Sequence, residues 1–279
     1  MLVRTLEAGD MQLAVSMAGE PGRPALILLH GWPHSRKIYD GVIDELGTRY
    51  FTLAFDLPEI GESRGPPPSA EKKVLADIVI SAAEALGAKS IVVAGFDVGG
   101  MIAFAAVRHH GDRIVGAVPI NTVIPGLHPW TKVIANPDIW HFAFHAVPEL
   151  PELLVTGHQR AYFDLFFDLL AGRPDALTNE MRETFTQAYA RPEALKAGFD
   201  WYRAFKEDAK VNAVPARIEI PILYIRGDAD FGSIDDYLEG LRLSGAKSLQ
   251  GHKIANCGEF LPIEAPAEFV KALMEFAPR

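Results

Sequence analysis

The stretch Gly95-Phe96-Asp97-Val98-Gly99-Gly100 constrains the fold more than any other, because an apolar run leads into it and an amphipathic run leaves it. Strand, sharp turn and helix are therefore expected in succession. Gly95 and Gly99 are the small residues that let strand and helix close on each other around a strained residue between them. A side chain at position 97 then projects from the carboxyl end of the strand beside the helix N-terminus, whose free amides favour negative charge. Asp is also a favoured N-cap residue, and capping would account for Asp97 taken alone. The flanking glycines point instead to a turn of the form Gly-x-nucleophile-x-Gly, with Asp97 as a nucleophile ionised at neutral pH.

The rest of the chain supplies the sheet that such a turn needs. Short apolar runs at 25–29, 51–55, 90–94, 114–120 and 220–225 are bounded by Gly, Pro or Asp, as buried parallel strands usually are. Residues 72–86, 98–109 and 267–276 carry apolar positions at three- and four-residue spacing, so strand alternates with helix in a doubly wound, mostly parallel sheet. Residues 2–18 read as a strand pair turning near Gly9 and Asp10, which adds antiparallel strands at one edge; with a further strand preceding the C-terminal motif at Asn256, the expected sheet has eight strands. Between 121 and 215 the rhythm becomes helical and aromatic, which predicts a lid inserted into the core. Most of its aromatic residues should pack internally, leaving a few to face a pocket. The expected division is 1–121 with 214–279 as core and 122–213 as lid. Residues 64–69, with three consecutive prolines, form a stiff connector.

Composition excludes several classes of function. With 279 residues, 49% of them apolar, the chain can bury one sizeable core plus an insertion. A net charge of −9 without a Lys/Arg run argues against nucleic acid as a partner. Zinc-ligand spacing is absent, and neither metal nor cofactor is expected. No apolar run approaches the roughly 18 residues of a membrane span, and residues 1–19 alternate polar with apolar instead of forming a signal-peptide core. The single cysteine, Cys257, excludes an internal disulfide. The expectation is a cytoplasmic protein acting on a small molecule, with a homodimer compatible.

Two further motifs complete a pattern. His30-Gly31-Trp32-Pro33 follows the first central strand, and Asp56-Leu57-Pro58 leads to Gly61-Glu62-Ser63 after the next. With the turn at Asp97, they make the chain resemble the epoxide hydrolase and haloalkane dehalogenase branch of the α/β-hydrolases over nearly its whole length. The resemblance implies that Asp97 attacks carbon to form an alkyl-enzyme ester, which water activated by a histidine then cleaves. It places an oxyanion hole in the backbone amides of Trp32 and Val98, with His30 structural, and ring-opening donors in the lid at His141 and Tyr202. A dehalogenase of this branch has Trp directly after the nucleophile, and fluoroacetate-type relatives have Arg; Val98 is neither, which favours the epoxide reading. Trp32 with Trp140 could still form an improvised halide site.

The third member of the triad is expected at Asp230, the last residue of Gly227-Asp228-Ala229-Asp230, with Asp228 as the alternative. Asn121, where some relatives keep an acid, cannot be a charged partner. The serious departure lies at Glu259, in Asn256-Cys257-Gly258-Glu259-Phe260, where relatives place the catalytic histidine. Three explanations fit the residues. Glu259 acts as the base, its pKa raised by burial and by a proton shared with Asp230. His252 substitutes from the preceding strand. Or the protein binds a ligand without turning it over. Asp97 and Glu259 could also serve as an acid/base pair for isomerisation, elimination or glycoside cleavage. Glu59 stands where relatives commonly have glycine, so it either carries local strain or brings a carboxylate to the pocket rim.

Overall fold

The computed structural model describes residues 1–230 and 232–276. Eight strands form one sheet: β1 (Leu2–Ala8), β2 (Met11–Ala18), β3 (Pro24–Leu29), β4 (Phe51–Phe55), β5 (Lys89–Phe96), β6 (Ile114–Ile120), β7 (Ile222–Gly227) and β8 (Leu249–Ile254). Their spatial order is β1-β2-β4-β3-β5-β6-β7-β8. The first two strands run antiparallel and the other six are mutually parallel. The central strands are almost wholly apolar and buried because helices cover both faces, which is why they read as continuous apolar runs. The helix Val98–His109 begins directly at the end of β5, and its residues Val98 to Val107 are buried.

Strand order reverses between β3 and β5, so their carboxyl ends diverge and leave a crevice between them. The register aligns what lies along that edge. Phe96 pairs with Ile120, and Ile120 with Ile225. One residue further on, Asp97, Asn121 and Arg226 therefore stand side by side on three adjacent strands. The ladder continues into them, since the Asp97 amide donates to the Ile120 carbonyl and the Asn121 amide to the Ile225 carbonyl.

Seven α-helices lie between β6 and β7, from Trp130 to Asn212; this helical insertion, the cap, brings His141, Phe142, Phe166 and Tyr202 to a cavity that Asp97 also lines. Its aromatic residues pack mainly against one another and the core: Phe163, Phe166, Phe167 and Trp201 are fully buried. Among the polar ties that fasten cap to core are three made by side chains. Lys72 pairs with Asp208 at 2.8 Å, both side chains almost fully buried. Arg191 pairs with Glu59 at 3.1 Å. The Tyr189 hydroxyl donates to the His34 carbonyl. Glu59 does sit at positive φ, 68°. Its carboxylate nevertheless turns to the cap instead of the pocket rim, because Arg191 also binds the Glu59 carbonyl and holds both groups of one residue.

Candidate active site

Asp97 occupies a backbone conformation of φ 50°, ψ −122°, which L-residues adopt only under constraint, at a cost of about 1–3 kcal/mol. The constraint is visible around it. A Cβ on Gly95 would lie 2.5 Å from the Gly99 backbone, and one on Gly99 would lie 2.3 Å from the Leu29 carbonyl, so only glycine lets helix and strands approach this closely. The Asp97 side chain makes no capping bond to its own helix. Instead, Oδ2 accepts from the Trp32 amide at 2.8 Å, and the neighbouring Val98 amide also favours the ionised form. Two backbone amides thus favour negative charge on this group.

Local reasoning expects the helix amides to keep this carboxyl acidic. The structure reverses that expectation: burial beneath the cap outweighs the amides of Trp32 and Val98 and the charge of Lys72, and Asp97 is pushed up to about 6. It remains mostly ionised at neutral pH.

A cavity of about 220 Å³ opens above Asp97. Trp32, His141, Phe142, Phe166 and Tyr202 form its aromatic wall, while Asn121, Arg226, Asp230 and Glu259 form a polar one. Tyr202 is buried, and burial, reinforced by the charge of Asp97, holds its phenol well above the ordinary range, so it stays protonated. Burial also holds His141 down to about 4, so its imidazole is neutral and Nδ1 has no partner. Trp140 departs from the expected site. Its ring is 44% exposed and packs on the outer side of Tyr162 and Phe166, outside the cavity wall. His145, four residues after His141 and hence on the same helical face, was not singled out from the sequence. It is buried, shares a hydrogen bond of 2.7 Å with the Tyr162 hydroxyl, and lies 4.4 Å from the Tyr202 ring.

The polar wall resolves the acids. Asp230 lines the cavity and pairs with Arg226 at 2.9 Å, whereas Asp228 is exposed. His252 is exposed on β8, so it cannot reach the Asp97 carboxylate. His30 is fully buried, with Nδ1 donating to the Gly31 carbonyl and Nε2 accepting from the Leu57 amide, a structural role. Glu259 lines the cavity. Burial first, then the charges of Asp230 and Asp97, hold its carboxyl well above the usual range against the opposing pull of Arg226.

Asn121 and Glu264 were not expected to shape this wall. The Glu264 carboxylate accepts from the amides of Gly258 and Phe260, at 2.9 and 2.8 Å. Asn121 Nδ2 donates to the carbonyls of Gly258 and Glu259, at 2.8 and 3.0 Å, and its Oδ1 accepts from the Gly227 amide at 2.9 Å. Near the cavity mouth, His128, Asp236 and Glu239 bring potential ligand atoms within 4.8 Å of one another, but Asp236 is already paired with Lys132 at 3.1 Å. Among the described residues, no helix is long and apolar enough to cross a membrane.

Comparison with known proteins agrees with this architecture. A family model described as alpha/beta hydrolase fold matches residues 24–266. The chain is 28% identical over 263 residues to the soluble epoxide hydrolase of Corynebacterium sp. (strain C12), covering 91% of this chain and 90% of that protein. It is 26% identical to epoxide hydrolase A of Mycobacterium tuberculosis, covering 98% and 96%. The crystal structure of Cfl2 from Burkholderia cenocepacia superposes with a TM-score of 0.90 at 26% identity, covering 99% and 95%. The chain belongs to the α/β-hydrolase fold family, and the relatives it resembles over nearly their whole length include epoxide hydrolases.

Proposed function

We propose that this protein hydrolyses a small, largely apolar epoxide through a covalent ester on Asp97. The observation that carries this reading is the Asp97 carboxylate, held by the Trp32 and Val98 amides at a cavity that Tyr202 and His141 also line. The carboxylate attacks an epoxide carbon as the carbon–oxygen bond breaks, and Tyr202 and His141 are the donors that stabilise the alkoxide as it forms. His141 is neutral near pH 7, so it acts there as a hydrogen-bond donor and not as a cation. When water attacks the ester carbonyl, negative charge develops on an oxygen already seated against the two amides. Asp97, Asp230 and Glu259 are the groups assigned to this chemistry, and it draws on no metal or cofactor. The cap excludes bulk water, which strengthens each of these interactions.

The cavity volume of about 220 Å³ bounds the substrate. It exceeds the roughly 150 Å³ that accommodates benzene and falls below the roughly 300 Å³ at which drug-sized pockets begin. One aromatic ring or a short aliphatic chain fits. The names of the relatives agree with an epoxide as the electrophile. Intact-mass analysis after exposure to styrene oxide, followed by peptide mapping, tests the proposal. One epoxide equivalent should appear on Asp97 and be absent from Asp97→Asn; diol formation that persists in Asp97→Asn would overturn it.

A further inference from the structure

Three of the carboxyl groups lining the cavity are Asp97, Asp230 and Glu259, and two of them have a direct partner for negative charge. Asp97 has the Trp32 amide at 2.8 Å, and Asp230 has the Arg226 guanidinium at 2.9 Å. Glu259 is placed differently. Its peptide is clamped on both sides: Glu264 accepts the amides of Gly258 and Phe260, Asn121 donates to the carbonyls of Gly258 and Glu259, and the Glu259 amide donates to the Leu170 carbonyl of the cap at 3.0 Å. With the backbone so fixed, the side chain enters a cavity whose nearby charges are mostly of its own sign. The titratable groups that interact with it include Asp97, Asp230, Glu264, Arg226, Tyr202, Tyr237 and Cys257, and His141 and Lys132 line the same cavity. Burial and the first three of these favour its neutral form, and Arg226, which opposes them, is paired with Asp230.

We infer that Glu259 carries one proton around the catalytic cycle, giving it up when the epoxide opens and taking one back from the water that cleaves the ester. The inference rests on Asp97 being the nucleophile. In the first step an Asp97 oxygen bonds to carbon, the epoxide carbon–oxygen bond breaks, and its electron pair stays on oxygen, which takes the Glu259 proton by way of water in the cavity. Esterification removes the Asp97 charge as Glu259 becomes charged, so the pair holds one negative charge before and after. In the second step the Glu259 carboxylate accepts one proton from water while the water oxygen bonds to the ester carbonyl carbon. The bond from that carbon to the product oxygen then breaks, and the product oxygen takes the water's remaining proton. Asp97 returns ionised, Glu259 returns neutral, and the diol leaves. A neutral acid cannot accept a proton, so the substitution of glutamate for histidine works because the chemistry itself ionises the glutamate at the moment when a base is needed.

The exchange has a pH signature that a merely structural glutamate would lack. Ester formation needs the Glu259 proton and declines at alkaline pH as that proton is lost, whereas ester cleavage needs the carboxylate and does not decline there. Rapid-quench mass spectrometry with styrene oxide separates the two rates in the wild-type protein, Glu259→Gln and Glu259→Asp. In Glu259→Gln, formation should slow and lose its alkaline decline, while cleavage should fall by roughly 10²–10⁴-fold, so that the Asp97 ester accumulates. Glu259→Asp, which keeps the carboxyl but withdraws it by one methylene, should slow both steps and retain the decline. Ester that forms in every variant but is cleaved by Glu259→Gln at the wild-type rate, or an alkaline decline that survives in Glu259→Gln, overturns the proton carrier and leaves Asp97 as nucleophile intact. Absence of ester from all three proteins overturns the nucleophile reading and the carrier with it.

Discussion

Replacing Asp97 by Asn should stabilise the protein while abolishing ester formation. In the unfolded chain this carboxyl ionises near 3.8 and in the folded protein only near about 6. Between those values the folded state holds a proton that the unfolded state has released, so stability falls as pH rises through the window, and the loss is complete above it. A gap of about two pH units at 1.36 kcal/mol per unit gives about 3 kcal/mol against the native state at neutral pH. Asn keeps the shape and an oxygen for the Trp32 amide but accepts that bond less strongly, and the carboxylate is partly open to the cavity, which reduces the expected gain to about 2 kcal/mol. At about 2–4 °C per kcal/mol, that is a rise in Tm of about 4–8 °C. Scanning calorimetry of both proteins across about pH 3 to 8 reads the difference, which should nearly vanish at the acid end, where Asp97 is mostly protonated in both states, and grow towards neutrality. Equal Tm values at pH 7, or a difference that stays constant across the range, would refute the reasoning that burial outweighs the amides at this residue.

The rate of Asp97 ester formation should fall as pH drops through about 6, because only the carboxylate attacks; a single-turnover pH profile without an acid limb there would contradict the assignment. Tyr202→Phe should slow ester formation by roughly 10²–10³-fold through loss of one oxyanion donor, read in the same quench experiment. Asp208→Ala should destabilise the fold by about 3–5 kcal/mol because it strands the buried Lys72 ammonium, whereas Lys72→Met with Asp208→Leu should cost less than the single change; urea denaturation compares the two. Asn121→Ala should loosen the Glu259 peptide and slow ester cleavage more than ester formation, since only the former needs Glu259 to meet a water held against the ester.

The strand, turn and helix around Asp97 were legible because every constraint on them is local: an apolar run, two glycines in close approach, and an amphipathic run. The same locality misleads about the acidity of Asp97. Its helix amides are visible in the sequence, but the burial that outweighs them comes from a cap whose packing is set by residues far along the chain. Spacing favoured Asp230 but left Asp228 open, and the fold separates them by turning Asp228 to solvent and Asp230 to Arg226. Trp140 lies in a helix of six residues, Trp140–His145, too short for periodicity to say which face it presents. The clamp on Glu259 joins Asn121 to residues 137 and 138 positions away, and no spacing rule reaches so far. Likewise, Glu59 read as a strained loop residue or a rim carboxylate until its partner, Arg191, arrived from the cap.

The central claim is that the oxygen added to product comes first from Asp97. A single turnover in ¹⁸O-labelled water, with enzyme in excess over styrene oxide, tests it directly. The account predicts that the diol emerges unlabelled while the peptide containing Asp97 gains the heavy isotope, because water attacks the ester carbonyl and not the substrate. Label appearing in the first-turnover diol, with Asp97 unlabelled, would contradict it.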